Sequence, residues 1–297
     1  LPEDVEWSSE LETDLCLLWD MAAEKDVILF LVENQFLSIA EYVLSVSKND
    51  RLTEIIVGLI GNLCCQPSVI PQIAERGELT ESLLNLLVSN DTETLVQLMR
   101  VLQAAAWNLQ RQNYSEKWLE HWTQCKFMGH TLIFILKSST NENLLIATLK
   151  LIQAITTIEA GDGNLFAHIF DMKELLLALL ESFAQLIPSE SNDDIHTSTE
   201  TKVIESWLEI LSKILELSAG NIHEIVDNHK PVIDALARIL EPYKVPENLK
   251  MSALEEHTII GYIYQTVELI NWFQKSRFNI DAGTISIILE IMFQLQT

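Results

Sequence analysis

LMRVLQAAAWNL (98–109) lies 46 residues after LTEIIVGLIGNL (52–63), and both run through small and apolar residues to Asn-Leu. LVQLMRVLQAAAWNL (95–109) aligns in turn with LLIATLKLIQAITTI (144–158) at an offset of 49, with Leu, Ala, Gln and Ile/Val in register. VIESWLEILSKILEL (203–217) continues the series, EHTIIGYIYQTVEL (256–269) follows more weakly, and ELETDLCLLWDM (10–21) is a degenerate start. Within these stretches apolar residues recur at i, i+3, i+4 and i+7, the period of an amphipathic helix. A repeat of roughly 40–50 residues with only helical signal predicts an α-solenoid, whose units bury their apolar faces against one another.

Composition agrees. The 297 residues include only nine glycines and seven prolines. An all-β fold needs many Gly/Pro turns and a doubly wound sheet needs Gly-rich βα turns, so both are disfavoured. Apolar residues make up 48% and charged residues 21%, which excludes wholesale disorder. Nineteen basic residues against 43 acidic give a formal net charge of −24. Affinity for phosphate rests on Lys and Arg, so direct binding of nucleic acid is not expected. Cys16, Cys64, Cys65 and Cys125 form no CxxC pattern and sit in apolar periodic segments. They read as buried, reduced thiols of a nuclear or cytoplasmic protein. No stretch is long and apolar enough for a membrane span, and the acidic start LPEDVEWSSELETD does not read as a secretion signal. A first residue other than Met suggests a core cut from a longer chain.

The finer pattern within a unit is a short helix (PSVIPQIAERG, 67–77), a second helix (ELTESLLNLLVS, 78–89) and a long third helix (DTETLVQLMRVLQAAAWNLQ, 91–110). This resembles the three-helix armadillo repeat, with Gly77 at the family's glycine, where the chain bends between the first two helices. The expected fold is an all-α, right-handed armadillo-like solenoid forming a single domain over 1–297. Its units are 24–66, 67–112, 113–160, 163–219 and 220–272, with a lone third helix at 8–23 and a closing helix pair at 274–297. TISIILEIMFQLQ (284–296) is apolar on more than one face, as a buried cap or as half of an interface. PSESNDDIHTSTET (188–201) reads as an exposed acidic loop. The runs WSSELETDLCLLWDMAAEKD, LIGNLCCQPSVIPQIAERGELTESLL and RVLQAAAWNLQ also resemble the serum-amyloid-A-like family of armadillo-type proteins. That resemblance implies a nuclear or cytoplasmic non-enzyme that promotes cell proliferation, including in inflamed synovial fibroblasts.

Catalytic and metal patterns are weak. HEIVDNH (223–229) spaces its histidines by six rather than four, which separates them on a helix. GDGN (161–164) lacks the strand and the Lys of a phosphate cradle, and no G-x-S-x-G occurs. No enzyme, metal or cofactor is expected.

Function is expected on the face formed by the third helices. In armadillo proteins that bind peptides, an Asn near the end of each third helix holds the peptide backbone through its amide, which both donates and accepts. The matching positions are Asp20, Asn62, Asn108, Thr157, Glu216 and Glu268, of which only Asn62 and Asn108 carry an amide. One turn earlier, nuclear-signal receptors of the family carry Trp. Here the residues are Cys16, Gly58, Ala104, Gln153, Ser212 and Tyr264, which disfavours that role. Trp107, one residue before Asn108, is expected to point into the core, and Gly58, Gly61, Ala104 and Ala105 to leave the groove floor open. The asparagines either contact a partner or cap their helices. The expected function is a scaffold, monomeric or within a complex, that takes a basic, extended segment of a protein partner into its groove, with no membrane contact. The alternative is a subunit that binds a folded partner through its convex face or its apolar C-terminal end.

Overall fold

The computed structural model describes residues 7–111, 116–161, 163–187, 195–222, 229–249 and 257–295. Helices dominate: α1 (Ser9–Met21), α2 (Lys25–Glu33), α3 (Phe36–Val46), α4 (Asp50–Leu63), α5 (Val69–Ala74), α6 (Gly77–Asn85), α7 (Thr92–Leu109), α8 (Glu116–Gln124), α9 (Met128–Ser138) and α10 (Glu142–Ile155). A two-stranded antiparallel ribbon follows, β1 (Glu159–Ala160) with β2 (Gly163–Asn164), turning at Gly161, whose φ is +57°. Then come α11 (Leu165–Ile169), α12 (Met172–Leu186), α13 (Ser198–Leu217), α14 (Lys230–Leu240), α15 (His257–Lys275) and α16 (Ala282–Leu295).

The expected short–middle–long grouping recurs as α2–α3–α4, α5–α6–α7, α8–α9–α10 and α11–α12–α13. The breaks that punctuate the sequence are N-caps of the long helices. Ser8, Asn49, Asp91, Asn141 and Thr197 each accept a hydrogen bond from a backbone N–H three residues on, starting α1, α4, α7, α10 and α13. Each such cap satisfies an orphan donor and contributes about 1 kcal/mol.

The chain divides into two compact units, Leu1–Leu132 with Lys150–Ile169, and Ile133–Leu149 with Phe170–Thr297. In the first, α1, α4 and α7 pack side by side, with α4 against α7 the most extensive contact, and α3 lies against α6. Every residue of α4 from Glu54 to Gly61 is buried, so this helix is enclosed on all sides. Trp118 and Trp122 of α8 are buried edge to face at 6.2 Å, and the Trp118 indole donates to Ile70 O at 3.0 Å. In the second unit α12, α13, α14 and α15 share a core. Trp207 is fully buried, packs against the tilted ring of Phe183 at 4.8 Å and donates to Leu179 O at 2.9 Å.

Three local expectations change. Gly77 has no positive φ and open space around the position of a Cβ, and the bend before α6 is made at Arg76 (φ −94°, ψ 86°). The expected acidic loop 188–201 is ordered from 195 onward, while 188–194 fall outside the described residues. Thr197 and Glu200 form a capping box that opens α13, and His196 is buried, with Nε2 hydrogen-bonded to Ile239 O at 3.2 Å. The TSTE run is thus a helix start rather than a surface loop. Finally, the segment expected as a closing helix pair holds one helix, α16; α15 ends at Lys275 and the chain turns at Arg277 in the left-handed region.

Two predictions follow from the packing. A Cβ on Gly58 would lie 2.1 Å from the Trp19 ring, which lies against α4 there. Gly58→Ala should therefore destabilise the protein by about 1–3 kcal/mol in urea unfolding, with a changed Trp19 environment in fluorescence. Burial near Tyr243 and Tyr262 lowers the pKa of His196, so the unfolded chain binds the proton more readily. This contribution to stability is intact above the ordinary histidine pKa of about 6.5 and is lost as the pH falls below it. The urea midpoint of the wild type should fall between pH 7.5 and pH 5 by more than that of His196→Asn.

Candidate functional site

Residues 100, 104, 107 and 111 succeed one another by four, three and four, which sets them on one stripe of α7 and its C-terminal extension. Their side chains are Arg100, Ala104, Trp107 and Arg111, and they form one wall of a cavity of 430 Å³. Gly61, Cys64 and Cys65 at the end of α4 and Pro67 and Ile70 at the start of the next unit complete it, with Gln103 and Asn108. Gly61 leaves room here: a Cβ on it would lie 3.9 Å from Arg100 Cζ. Trp107 does not enter the core; 53% of it is exposed, on the cavity wall. The core stripe of α7 runs instead through Leu98, Val101, Leu102, Ala105 and Leu109, all buried.

The two central amides do different things. Asn62 Nδ2 donates to Trp19 O of α1 at 3.0 Å, and its Oδ1 accepts from Arg100 Nη2 at 3.0 Å. This amide is committed on both sides and ties together three successive third helices. Arg100 is held on its other arm by Gln97, at 2.5 Å, and keeps further N–H donors of its guanidinium for a ligand. Asn108 is 93% buried, and its Oδ1 has no hydrogen-bond partner among the described residues. That oxygen is itself closed off from solvent, and a buried acceptor left unmatched costs on the order of 1–3 kcal/mol.

The other ladder positions are distributed as follows. Asp20 is exposed on α1. Thr157 accepts a hydrogen bond from Gln110 Nε2 at 2.8 Å, and the same amide nitrogen reaches Ala154 O at 2.8 Å. Glu216 pairs with Lys213 at 3.2 Å, and Glu268 is exposed beside the hydroxyl of Tyr264. Glu216 and Glu268 belong to the second unit, whereas the cavity belongs wholly to the first. Of the small residues expected to open the groove floor, Gly61 and Ala104 line the cavity. Gly58 is covered by Trp19, and Ala105 is buried. Spacing along α7 could have singled out Arg100 and Arg111; attention to the ladder amides alone passed over them.

Among the described residues the walls of the cavity carry no carboxylate and no histidine to act as a general base. Burial pushes the Cys64 thiol up to about 12, which suppresses the nucleophilic thiolate. Cys65, expected to be buried, is exposed at the cavity mouth. Among the described residues no cluster of three His, Cys, Asp or Glu side chains could hold a metal ion. The histidine pair of HEIVDNH lies mostly outside the described residues, and its last member, His229, is hydrogen-bonded to Asn279 O at 2.9 Å. No single helix among them is long and apolar enough to cross a membrane.

In fold the chain is similar to designed armadillo repeat proteins. It superposes on a designed armadillo repeat protein with a TM-score of 0.54, at 16% identity over 90% of this chain and 95% of the other. A second designed armadillo repeat protein, solved in complex with the peptide (KR)4, gives a TM-score of 0.50 at 17% identity, covering 87% and 92%. The fold is an all-α armadillo-like solenoid. No protein-family model matches the chain. In sequence it is similar to Protein saal1 of Danio rerio, 33% identical over 209 residues, which are 70% of this chain and 40% of that protein. It is similar to Protein SAAL1 of Homo sapiens at 31% over 172 residues, 58% and 33% of the two chains. The chain thus spans about two fifths of the length of the curated relatives it matches.

Two adjacent cysteines give a direct check of the cavity wall. In the native protein at pH 8, a maleimide reagent should modify Cys65 readily and Cys64 only after denaturant is added, as read by peptide mass spectrometry. Equal labelling of both in the native state would contradict the arrangement described.

Proposed function

We propose that the chain is a non-enzymatic scaffold that holds an extended segment of a protein partner across its third helices. The observation that carries this reading is the cavity on the third helices, walled by the exposed Trp107 and by Arg100 and Arg111 and lined by Asn108, at the position where armadillo proteins grip a peptide backbone. A cavity of 430 Å³ suits one or two side chains of such a segment rather than a whole folded surface. The net charge of −24 favours a segment that is basic overall, because the long-range potential speeds the encounter of opposite charges. A structural neighbour in complex with the peptide (KR)4 supports a basic partner by analogy. The proposal also takes from the family resemblance of the sequence a place in the nucleus or cytoplasm and a role in cell proliferation.

A second reading rests on α16. Ile285, Leu289, Met292, Phe293 and Leu295 are between 41% and 70% exposed on this helix, whose buried residues are Thr284 and Ile291. That apolar surface is suited to a folded partner.

The two readings separate in one experiment. A protein captured by the wild-type chain from cell extract is titrated against Trp107→Ala/Asn108→Ala and against Leu289→Ser/Phe293→Ser, each first shown to keep the wild-type helical spectrum. Groove binding should weaken at least about fivefold in the first variant alone, since one hydrogen bond to a partner backbone is worth about 1 kcal/mol. It should also weaken as salt rises toward 0.15 M, where exposed charges are screened within about 8 Å. Loss in the second variant alone would transfer the interface to α16.

A further inference from the structure

We propose that α1 is the third helix of an incomplete repeat, which a partner protein completes with an amphipathic helix carrying basic residues beside its apolar face. This surface is separate from the cavity on α7 and does not depend on the groove reading.

The repeat alignment identifies the face. Glu10, Asp14, Leu17 and Met21 of α1 align with Leu52, Ile56, Leu59 and Leu63 of α4 and with Leu98, Leu102, Ala105 and Leu109 of α7. The spacing i, i+4, i+7 and i+11 sets them on one stripe of each helix. In α7 all four are buried, and in α4 all but the half-buried Leu52. Each of those helices packs against an earlier helix of its own repeat, α4 against α3 and α7 against α5. In α1 all four are exposed, Leu17 at 55% and Met21 at 56%, and no residue of the helix is buried. The other side of α1 is occupied: Glu12 and Cys16 meet Arg51, and the Trp19 ring lies over Gly58 of α4. The helix is thus fixed in place with its core stripe bare.

A second face suits the same occupant. Second helices stack from repeat to repeat, as α3 does on α6. Glu41 marks that side of α3 by pairing with Arg76 at the entrance to α6. Ile39 and Val46, seven residues apart and so on one different stripe of α3, are exposed. A helix set against α1 as α3 is set against α4 would stack on α3 as α3 stacks on α6. It would cover Leu17, Met21, Ile39 and Val46 together.

Charge decides what kind of helix. Glu10 and Asp14 stand on this stripe where α4 and α7 carry apolar residues. Neither forms an ion pair among the described residues. A helix that covers Leu17 and Met21 also draws these carboxylates out of water, which is costly unless cations meet them. The occupant must therefore place Lys or Arg within about two turns of its apolar contacts. A second copy of this chain would bring one acidic stripe against another, so charge disfavours it.

The test is selection on the full chain from a phage library of alanine-based helices randomised along one face. Selected helices should carry Leu, Ile, Met or Phe at helical spacing, with Lys or Arg beside them. One of them, synthesised, should bind Leu17→Ser/Met21→Ser at least about tenfold more weakly than wild type, and Trp107→Ala/Asn108→Ala equally well. Both altered α1 residues are exposed, and circular dichroism and melting temperature check that each variant is folded. Glu10→Gln/Asp14→Asn should bind the peptide about fivefold more weakly, and exchanging the peptide's basic residues for Gln should cost about as much on wild type but little on this variant. The inference fails if no helix is selected, if the selected helices carry no basic residue, or if they bind Leu17→Ser/Met21→Ser within about twofold of wild type. It also fails if sedimentation finds a wild-type dimer that Leu17→Ser/Met21→Ser turns into a monomer, which would give the face to a second copy. Loss of peptide binding in a longer form of the protein would give the face to a segment of its own and overturn the inference as well. None of these results bears on the groove.

Discussion

In the first unit the long helix α4 buries one face against the long helix before it, α1, and another against the one after, α7. That constraint shapes most of what is seen there. α4 is buried over a run of eight residues because α1 and α7 flank it. Close stacking demands small residues where a large side chain crosses, and Gly58 gives way to the Trp19 ring. It also leaves polar ends to be matched across helices. The Asn62 amide bonds backward to α1 and forward to Arg100, so the polar seam of the stack is continuous where the apolar one ends. Packing at this density contributes through many small dispersion contacts and is sensitive to single methylenes.

The same stacking determines which charges remain free. Most basic residues close to acidic ones are neutralised within a turn or across adjacent helices, as at Arg51 and Arg76. Such pairs are partly exposed and each contributes well under about 1 kcal/mol. Arg100 is different in kind. Its neighbours are amides, which orient the guanidinium without cancelling its charge. An acidic protein thereby keeps a cationic spot in a cavity walled by Ala104, Trp107 and Ile70.

Much of the architecture was legible in the sequence because it rests on local signals. The Asn-Leu ends at 62–63 and 108–109 mark the ends of α4 and α7, and the polar breaks near 49, 91 and 141 are N-caps. Reading failed where a local signal has two uses. TSTE serves a capping box as well as it would an acidic loop, and only the burial of His196 beside it shows which use applies. Gly77 matches a familiar glycine position, yet its neighbour Arg76 makes the bend. Trp107 was harder: on a helix this rich in apolar residues, a tryptophan gives no sign from spacing alone that Ala105 and Leu109 take the core and leave it outside. The role of Asn62 was not legible at all, because its partners lie 43 and 38 residues away.

A ladder of equivalent amides would spread recognition evenly along the groove. This chain does not have one. Asn62 is spent on α1 and Arg100, Thr157 on Gln110, and Glu216 on Lys213. The other ladder amide, Asn108, has a buried oxygen without a partner among the described residues, and the residue shares a cavity with an exposed tryptophan and two arginines. Tryptophan and arginine are the side chains most often found at energetic hot spots, where a few buried contacts outweigh a large neutral surround. If the proposed groove binding holds, recognition concentrated in this way would tolerate a varied partner sequence on either side of one anchor. A uniform ladder would instead read the length of a segment and its repeated chemistry, and the distribution of free and committed groups here favours the single anchor.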